Sequence, residues 1–213
     1  YMLSRARISL TGKKVVILGS GGASLTAQAT ARREGARKIV VVSRSGPDNY
    51  ENLDRHADTE VVVNTTPVGM WPNMDGRPVD LARFPRLESA ADVIYNPGRT
   101  NLLLQAEELN REDPGWQEDI SRGLMPEEAR RRIRWTGGLS MLAAQAVRAE
   151  ELFFDRPIFA RETGKIIARL WQERTNIVLA GMPGCGKTTV GRELARLSGK
   201  PLVDLDEEII RRA

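Results

Sequence analysis

The chain has 213 residues, of which 41% are hydrophobic, 28% charged and 5% aromatic, so it can bury a core and that core must be mostly aliphatic. Its 32 basic and 28 acidic residues leave a net charge of +4, too even a balance for a protein that grips nucleic acid along a basic stripe. A single cysteine, Cys185, excludes an internal disulfide and fits a reducing cytoplasmic setting, and no apolar run approaches the ~18 residues that span a bilayer.

The N-terminus lacks signal-peptide architecture and is expected to be an abrupt start, because Gly12-Lys13-Lys14 lead at once into a strand. Val15 to Leu18 is apolar and ends in glycines, which predicts a buried parallel strand. Ala23 to Arg33 predicts a helix stopped by Gly35. Ile39 to Val42 is the next strand, broken by Gly46-Pro47-Asp48. Val61 to Val63 is a third strand and Val93 to Tyr95 a fourth, and Leu102 to Leu109 is helical in pattern. Strands alternating with helices predict a parallel α/β sheet. Between Arg44 and Asn64 the chain is short for a full βα unit, which leaves the sheet order there open. His56, the only histidine, falls in this polar stretch and reads as a surface residue.

Asn110 to Trp135 is polar and interrupted by prolines and glycines, so it reads as a surface excursion with one short helix starting near Pro126. The basic run Arg130 to Arg134 reads as a solvated face of that helix. Leu139 to Phe153 predicts a helix with Leu139, Leu142, Ala143, Ala146 and Val147 on one face. A connector containing Pro157 and a helix follows. Ile177 to Ala180 predicts a new strand, Val190 to Leu197 its helix, and Leu202 to Asp206 another strand. The expected organisation is a Rossmann-like nucleotide-binding domain over 1–154, a linker helix over 155–175, and the beginning of a P-loop α/β domain over 176–213.

Gly19-Ser20-Gly21-Gly22-Ala23-Ser24 stands between a strand and a helix. Glycines there allow a tight turn and let backbone N–H groups approach a pyrophosphate at the helix N-terminus. Ser24 occupies the place of the third glycine of the usual fingerprint, and a purely structural βα turn is the alternative. The second strand ends in Val42-Ser43-Arg44-Ser45. A carboxylate there would hold a free ribose hydroxyl and repel a 2′-phosphate, whereas Arg44 can pair with that phosphate and Ser43 and Ser45 can add hydroxyl donors. The pattern points to NADP(H), against the alternative that Arg44 is a solvated surface arginine.

Gly181-Met182-Pro183-Gly184-Cys185-Gly186-Lys187-Thr188 fits the P-loop pattern throughout. Its amides form a phosphate nest, Lys187 reaches the β- and γ-phosphates of ATP, Thr188 ligates Mg²⁺, and Thr189 follows at the helix start. Cys185 reads as a small side chain beside the phosphates, with a reactive thiol as the alternative. In Val203-Asp204-Leu205-Asp206, strand alternation would put both carboxylates on one face, one suited to Mg²⁺ and one to a hydroxylated acceptor. Alone, the P-loop supports a small-molecule kinase or another NTPase.

Residues 12–154 resemble the C-terminal, NADP-binding domain of shikimate dehydrogenase. The resemblance rests on the glycine turn, Ser43-Arg44, Asn64-Thr65-Thr66-Pro67-Val68-Gly69-Met70, Asp92-Val93-Ile94-Tyr95-Asn96-Pro97, and the stretch from Gly138 through Met141 to Ala146. It implies that Thr65, Pro67 and Gly138 line the cofactor cleft and that Met141 packs against the nicotinamide. It also implies that Tyr95 and Gln145 reach the hydroxylated ring of shikimate. Without the family, Tyr95 could as well be an interior aromatic and Gln145 a helix surface residue. Residues 176–213 resemble the start of shikimate kinase, which implies that Asp204 assists the metal and Asp206 binds shikimate and helps deprotonate its hydroxyl.

The two resemblances imply consecutive reactions on one metabolite: reduction of 3-dehydroshikimate to shikimate, then ATP-dependent phosphorylation. The dehydrogenase family's catalytic lysine and aspartate lie in a substrate domain that these residues do not include, so the chain alone is expected not to turn over. The competing readings are an inactive nucleotide-binding module and a quinate-type dehydrogenase using NAD. Neither a nucleic-acid nor a membrane partner is expected.

Overall fold

The computed structural model describes residues 1–122 and 133–212, and the chain divides into two compact units, Tyr1–Leu170 and Trp171–Ala213. The first unit is built on five parallel strands: β1 (Lys14–Leu18), β2 (Lys38–Val42), β3 (Val61–Asn64), β4 (Ser89–Asp92) and β5 (Arg134–Thr136). Their order across the sheet is β2-β1-β3-β4-β5. The helices are α1 (Met2–Arg5), α2 (Gly22–Arg33), α3 (Asn101–Arg111), α4 (Pro114–Ser121), α5 (Leu139–Phe154) and α6 (Ala160–Arg174), the last running across the boundary between units.

Strand alternation divides the core in two. Val16, Leu18, Val40, Val42, Val62 and Ala90 face a layer containing Leu53, Leu81, Phe84, Leu102 and Leu103. Val15, Ile17, Val61, Val63 and Ala91 face the other layer, with Ile8, Leu10 and Ala31. Every residue of β1 is buried, which is why Val15 to Leu18 is a continuous apolar run rather than an alternating one. Below the sheet, Glu60 accepts from the Lys14 amide (2.8 Å), Arg37 (3.1 Å) and Lys13 (3.2 Å), tying the entry to β3 onto β1 and β2. These hydrogen bonds, the backbone one foremost, hold the Glu60 carboxyl below its ordinary range despite opposing desolvation.

The first, second and third strands fall where the sequence puts them. The fourth does not: β4 is Ser89–Asp92, and Val93–Tyr95 belong to the loop after it. Ser89, Ala90, Ala91 and Asp92 lack strand propensity, but pairing with β3 (Val61↔Ser89 through Asn64↔Asp92) buries all four, so tertiary pairing overrides local preference. The fifth strand was not expected. It begins at Arg134, the end of the basic run, whose Nη1 donates to the Arg7 carbonyl at 2.5 Å. The helix expected near Pro126 and the rest of that run lie outside the described residues; a helix at Pro114–Ser121 precedes them.

Between β2 and β3 the described chain makes only one 3-10 turn, Leu53–His56, in place of a crossover helix, in line with the short spacing. His56 is not a surface residue. It is 6% exposed, and its Nε2 lies 2.8 Å from Asp48 Oδ1. Helix α5 buries Leu139, Ser140 and Ala143, whereas Leu142 and Ala146 are exposed, so only its first turns are packed and the apolar face expected from the sequence is narrower.

The second unit carries α7 (Lys187–Ser198) and α8 (Leu205–Arg212). The strands expected at Ile177–Ala180 and Leu202–Asp206 do not form. Val178 is 80% exposed and Val203 61%: among the described residues of this unit no strand pairs with them, and a parallel strand needs neighbours and covered faces. Gly191 is the buried point of α7, where an added Cβ would fall 3.0 Å from Leu202 and 3.4 Å from Leu179.

Candidate functional site

In a parallel α/β sheet, ligands enter at the C-terminal strand ends where consecutive connections leave in opposite directions. Here β1 is flanked by β2 on one side and β3 on the other, so that crevice lies between the ends of β1 and β3. The Gly19–Gly22 turn follows β1 and Asn64–Pro67 follows β3, and the two loops touch. Thr65 donates to the Leu18 carbonyl through both its amide (2.9 Å) and its hydroxyl (2.6 Å).

The glycines of the turn have different reasons to be glycine. Gly19 has φ +104°, and a Cβ there would sit 2.9 Å from Thr65 Oγ1, so the fold requires it. Gly21 has φ −82° and ψ −171°, open to any residue, and a Cβ on Gly21 or Gly22 would meet nothing within 4 Å. Nothing in the protein requires glycine at these two positions. Both are exposed at the start of the 12-residue α2, whose first turn carries no side-chain cap. The unfilled space and uncapped amides fit a phosphate brought against the backbone. Ser24, in the third glycine's place, is fully buried and accepts from Gln28 at 3.2 Å, so it serves helix–sheet packing without glycine.

At the end of β2, Gly19 N donates to the Val42 carbonyl at 2.8 Å, which holds the two strand ends side by side. Ser43 is half-buried, and Arg44 and Ser45 are exposed beyond it. Burial raises the Tyr50 phenol above its ordinary range, and the Arg44 charge opposes that rise, so the guanidinium lies within electrostatic reach of this half-buried ring. The side chains available to a 2′-phosphate are therefore cationic and hydroxylic.

Behind the Asn64–Pro67 loop is a buried polar cluster whose members the sequence did not link. Asp92 Oδ1 accepts from Asn64 Nδ2 (3.1 Å) and the Ile94 amide (3.0 Å), and Oδ2 accepts from Thr100 Oγ1 (2.7 Å). Asn64 Oδ1 in turn accepts from the Thr66 amide (3.0 Å) and hydroxyl (2.7 Å). Burial raises the Asp92 carboxyl above its ordinary range although all three donors pull the other way. The signal that could have found the cluster is polar residues at the last position of two neighbouring strands, Asn64 and Asp92, which pair in register.

The remaining expected site residues are distributed as follows. Gly138 N donates to the Ile94 carbonyl at 2.8 Å, and a Cβ on Gly138 would fall 2.0 Å from the Val93 carbonyl oxygen, so close backbone packing accounts for this glycine. Met141 packs against the core layer beneath β1 and β3. Tyr95 is 41% exposed and so not an interior aromatic, and Gln145 is exposed on α5. Pro67 lies in the loop after β3, with the Met70 amide donating to its carbonyl at 3.1 Å.

In the second unit, Lys187 Nζ donates to the carbonyls of Gly181 (2.9 Å) and Met182 (2.8 Å), folding the loop around its ammonium. Gly184 and Gly186 have φ of +77° and +86°, a conformation that side chains rarely adopt. Cys185 is an exposed free thiol, and Thr188 and Thr189 are exposed at the start of α7. The acidic pair is not arranged by strand alternation. The Asp206 amide donates to Asp204 Oδ1 at 3.1 Å and Glu208 N to the Asp204 carbonyl at 3.0 Å, so Asp204 caps α8 while Asp206 lies exposed in its first turn.

Comparison with known proteins bears on both units. The chain is 28% identical over 165 residues to the NADP-dependent shikimate dehydrogenase of Clostridium perfringens, covering 71% of this chain and 53% of that protein. Over most of its length, this chain is homologous to shikimate dehydrogenases. Its fold is similar to that of a chorismate mutase/shikimate 5-dehydrogenase fusion protein from Clostridium acetobutylicum, with a TM-score of 0.68 and 27% identity over 82% of this chain and 60% of that one. It is similar also to shikimate dehydrogenase 1 of Peptoclostridium difficile, with a TM-score of 0.62 and 30% identity over 82% of this chain and 59% of that one. The chain thus spans about half the length of the curated relatives it matches (53% of the first). The shikimate kinase family model matches residues 183–213. Among the described residues, no helix is long and apolar enough to cross a membrane.

Proposed function

We propose that the first unit binds NADP(H) and is the cofactor-binding part of an enzyme that reduces 3-dehydroshikimate to shikimate. The observation that carries this reading is the Gly21-Gly22 turn, two glycines that the fold does not need, at an uncapped helix start. The amides of Gly21, Gly22 and Ala23, with Ser20 beside them, would hold the pyrophosphate. Arg44, Ser43 and Ser45 would hold the 2′-phosphate, and Thr65, Pro67 and Met141 would face the nicotinamide, whose chemistry is hydride transfer. Tyr95 and Gln145, both exposed residues with polar side chains, would orient the hydroxylated substrate. Homology to NADP-dependent shikimate dehydrogenases supports the cofactor and the substrate class.

We further propose that residues 176–213 begin a shikimate kinase domain in the same polypeptide. The P-loop residues Gly181, Gly184, Cys185, Gly186, Lys187 and Thr189 would take the phosphates of ATP, Thr188 and Asp204 Mg²⁺, and Asp206 the shikimate hydroxyl. The kinase family match over 183–213 supports this.

Calorimetric titration of the chain with NADP⁺ and NAD⁺ tests the dehydrogenase reading. A charge-assisted phosphate contact contributes roughly 1.5–3 kcal/mol, so NADP⁺ is expected to bind about tenfold or more tightly than NAD⁺. Arg44→Ala is expected to erase most of that preference. Equal affinities in the unsubstituted chain would refute the assignment.

A further inference from the structure

The turn that carries Arg44 is held from behind. The Ser43 amide donates to the Asp48 carbonyl at 3.1 Å, closing residues 43–48 into a loop. Gly46 allows that loop to be tight: a Cβ there would fall 2.6 Å from Ser43 Oγ and 3.3 Å from the Asp48 carbonyl oxygen. Asn52 continues the bracing, its Nδ2 donating to the Pro47 carbonyl (2.9 Å) and its Oδ1 accepting from the Asn49 amide (2.9 Å).

A side-chain link connects this exposed loop to the core. The Asp48 carboxylate can only accept, so the proton lies on His56 Nε2, 2.8 Å away. The imidazole is 6% exposed, and its Nδ1 is buried with no hydrogen-bond partner among the described residues. His56 sits in the same 3-10 turn as Leu53, a fully buried member of the layer under β1 and β2. A histidine buried with one nitrogen unsatisfied is a poor choice for packing alone, because an apolar side chain would fill the space without that cost. The contact it does make is with Asp48, at the base of the loop whose tip is Arg44-Ser45.

We propose that His56 and Asp48 are positioning residues for cofactor specificity: their hydrogen bond fixes the Ser43–Asp48 loop so that Arg44 and Ser45 face the 2′-phosphate. The inference rests on the reading that this site takes NADP. The pyrophosphate contacts belong to the α2 start, a separate element, so losing the link removes 2′-phosphate recognition and spares the rest of the dinucleotide. Asp48 is about one-third exposed (34%), so once unpaired it can turn to water and the fold survives.

The test is titration of the full chain with NADP⁺ and NAD⁺ for the unsubstituted protein, Asp48→Ala, Asp48→Asn and His56→Leu, with melting curves to establish that each is folded. Asp48→Ala and His56→Leu are expected to weaken NADP⁺ roughly tenfold, the scale of one charge-assisted contact, and to leave NAD⁺ within about twofold. Asp48→Asn keeps an acceptor for His56 Nε2 and is expected to restore the preference. An unchanged NADP⁺/NAD⁺ ratio in Asp48→Ala overturns the proposal, and so does equal weakening of both cofactors, which marks a merely structural role. If His56→Leu does not fold, Asp48→Ala decides. The underlying reading fails separately, and takes this inference with it, if the unsubstituted chain has no preference or if Arg44→Ala leaves the preference intact.

Discussion

If the α2 start holds the pyrophosphate as proposed, the fold and the ligand make opposite demands at Gly22, and Gly22→Ala separates them. The added Cβ meets nothing within 4 Å, and residue 22 opens α2, where the backbone is helical. Glycine costs a helix interior about 1 kcal/mol relative to alanine, mostly because its unfolded backbone has more freedom to lose. The first turn realises part of that gain. At roughly 2–4 °C per kcal/mol for a unit of this size, the melting temperature is expected to hold or to rise by about 1–3 °C.

Cofactor binding should respond in the other direction. A methyl on the face where phosphate meets the amides pushes the pyrophosphate away and weakens charge-assisted bonds worth roughly 1.5–3 kcal/mol each. Because NADP⁺ and NAD⁺ share the pyrophosphate, both are expected to weaken at least about tenfold with their ratio preserved, unlike the outcome at Arg44. Thermal melts and paired titrations check this. A melting temperature several degrees lower would mean that the fold does need Gly22, and undiminished affinity for both cofactors would mean that no phosphate lies there.

Gly138→Ala is expected to do the reverse and destabilise the first unit by about 2–3 kcal/mol in denaturant melts, since its Cβ would fall 2.0 Å from the Val93 carbonyl oxygen and both partners are backbone. At Asp92, burial raises the folded-state carboxyl above its unfolded value near 3.8, so its contribution to stability is fully present below that value and is lost as pH rises through the folded value. Asp92→Asn keeps an oxygen for Asn64 and Ile94 and lets the Thr100 hydroxyl turn to accept; the variant is expected to gain on the unsubstituted protein as pH rises from 4 toward 7 in parallel denaturant melts, and a constant difference would contradict the burial argument.

What was legible in the sequence was whatever repeats locally. Val15 to Leu18 could be read as a buried strand because an apolar run ending in glycines has few other uses. Ser89–Asp92 could not be read, because a strand of small and polar residues exists only by virtue of its neighbour Val61–Asn64. Ile177–Ala180 and Leu202–Asp206 fail for the converse reason: local propensity is present, and among the described residues of that unit there is no sheet to use it. The burial of His56 is not legible in the sequence, because a polar neighbourhood says nothing about which way a 3-10 turn faces. The Asn64–Asp92–Thr100 cluster needed the register of two strands before its members became neighbours.

The strand ends around the crevice between β1 and β3 are braced independently of any ligand. Gly19 is bonded to Val42, Thr65 to Leu18, Val93 to Asn64 and Gly138 to Ile94, so the C-terminal ends of successive strands are fastened one to the next by backbone amides. The loop carrying Arg44 lies outside that chain of links; it is closed by the Ser43–Asp48 backbone hydrogen bond and braced by side chains, Asn49, Asn52 and the Asp48–His56 pair. On the proposed reading, dinucleotide binding would fall to backbone groups at the sheet edge, and discrimination between its two forms to side chains on the braced loop after β2. Substitutions at the exposed loop residues Arg44 and Ser45 should therefore be able to shift the NADP⁺/NAD⁺ ratio at little cost in stability, whereas any change that weakens the strand-end links should alter affinity for both forms together. A set of loop variants whose ratio and melting temperature fell in proportion would show that the two tasks are not separable in this way.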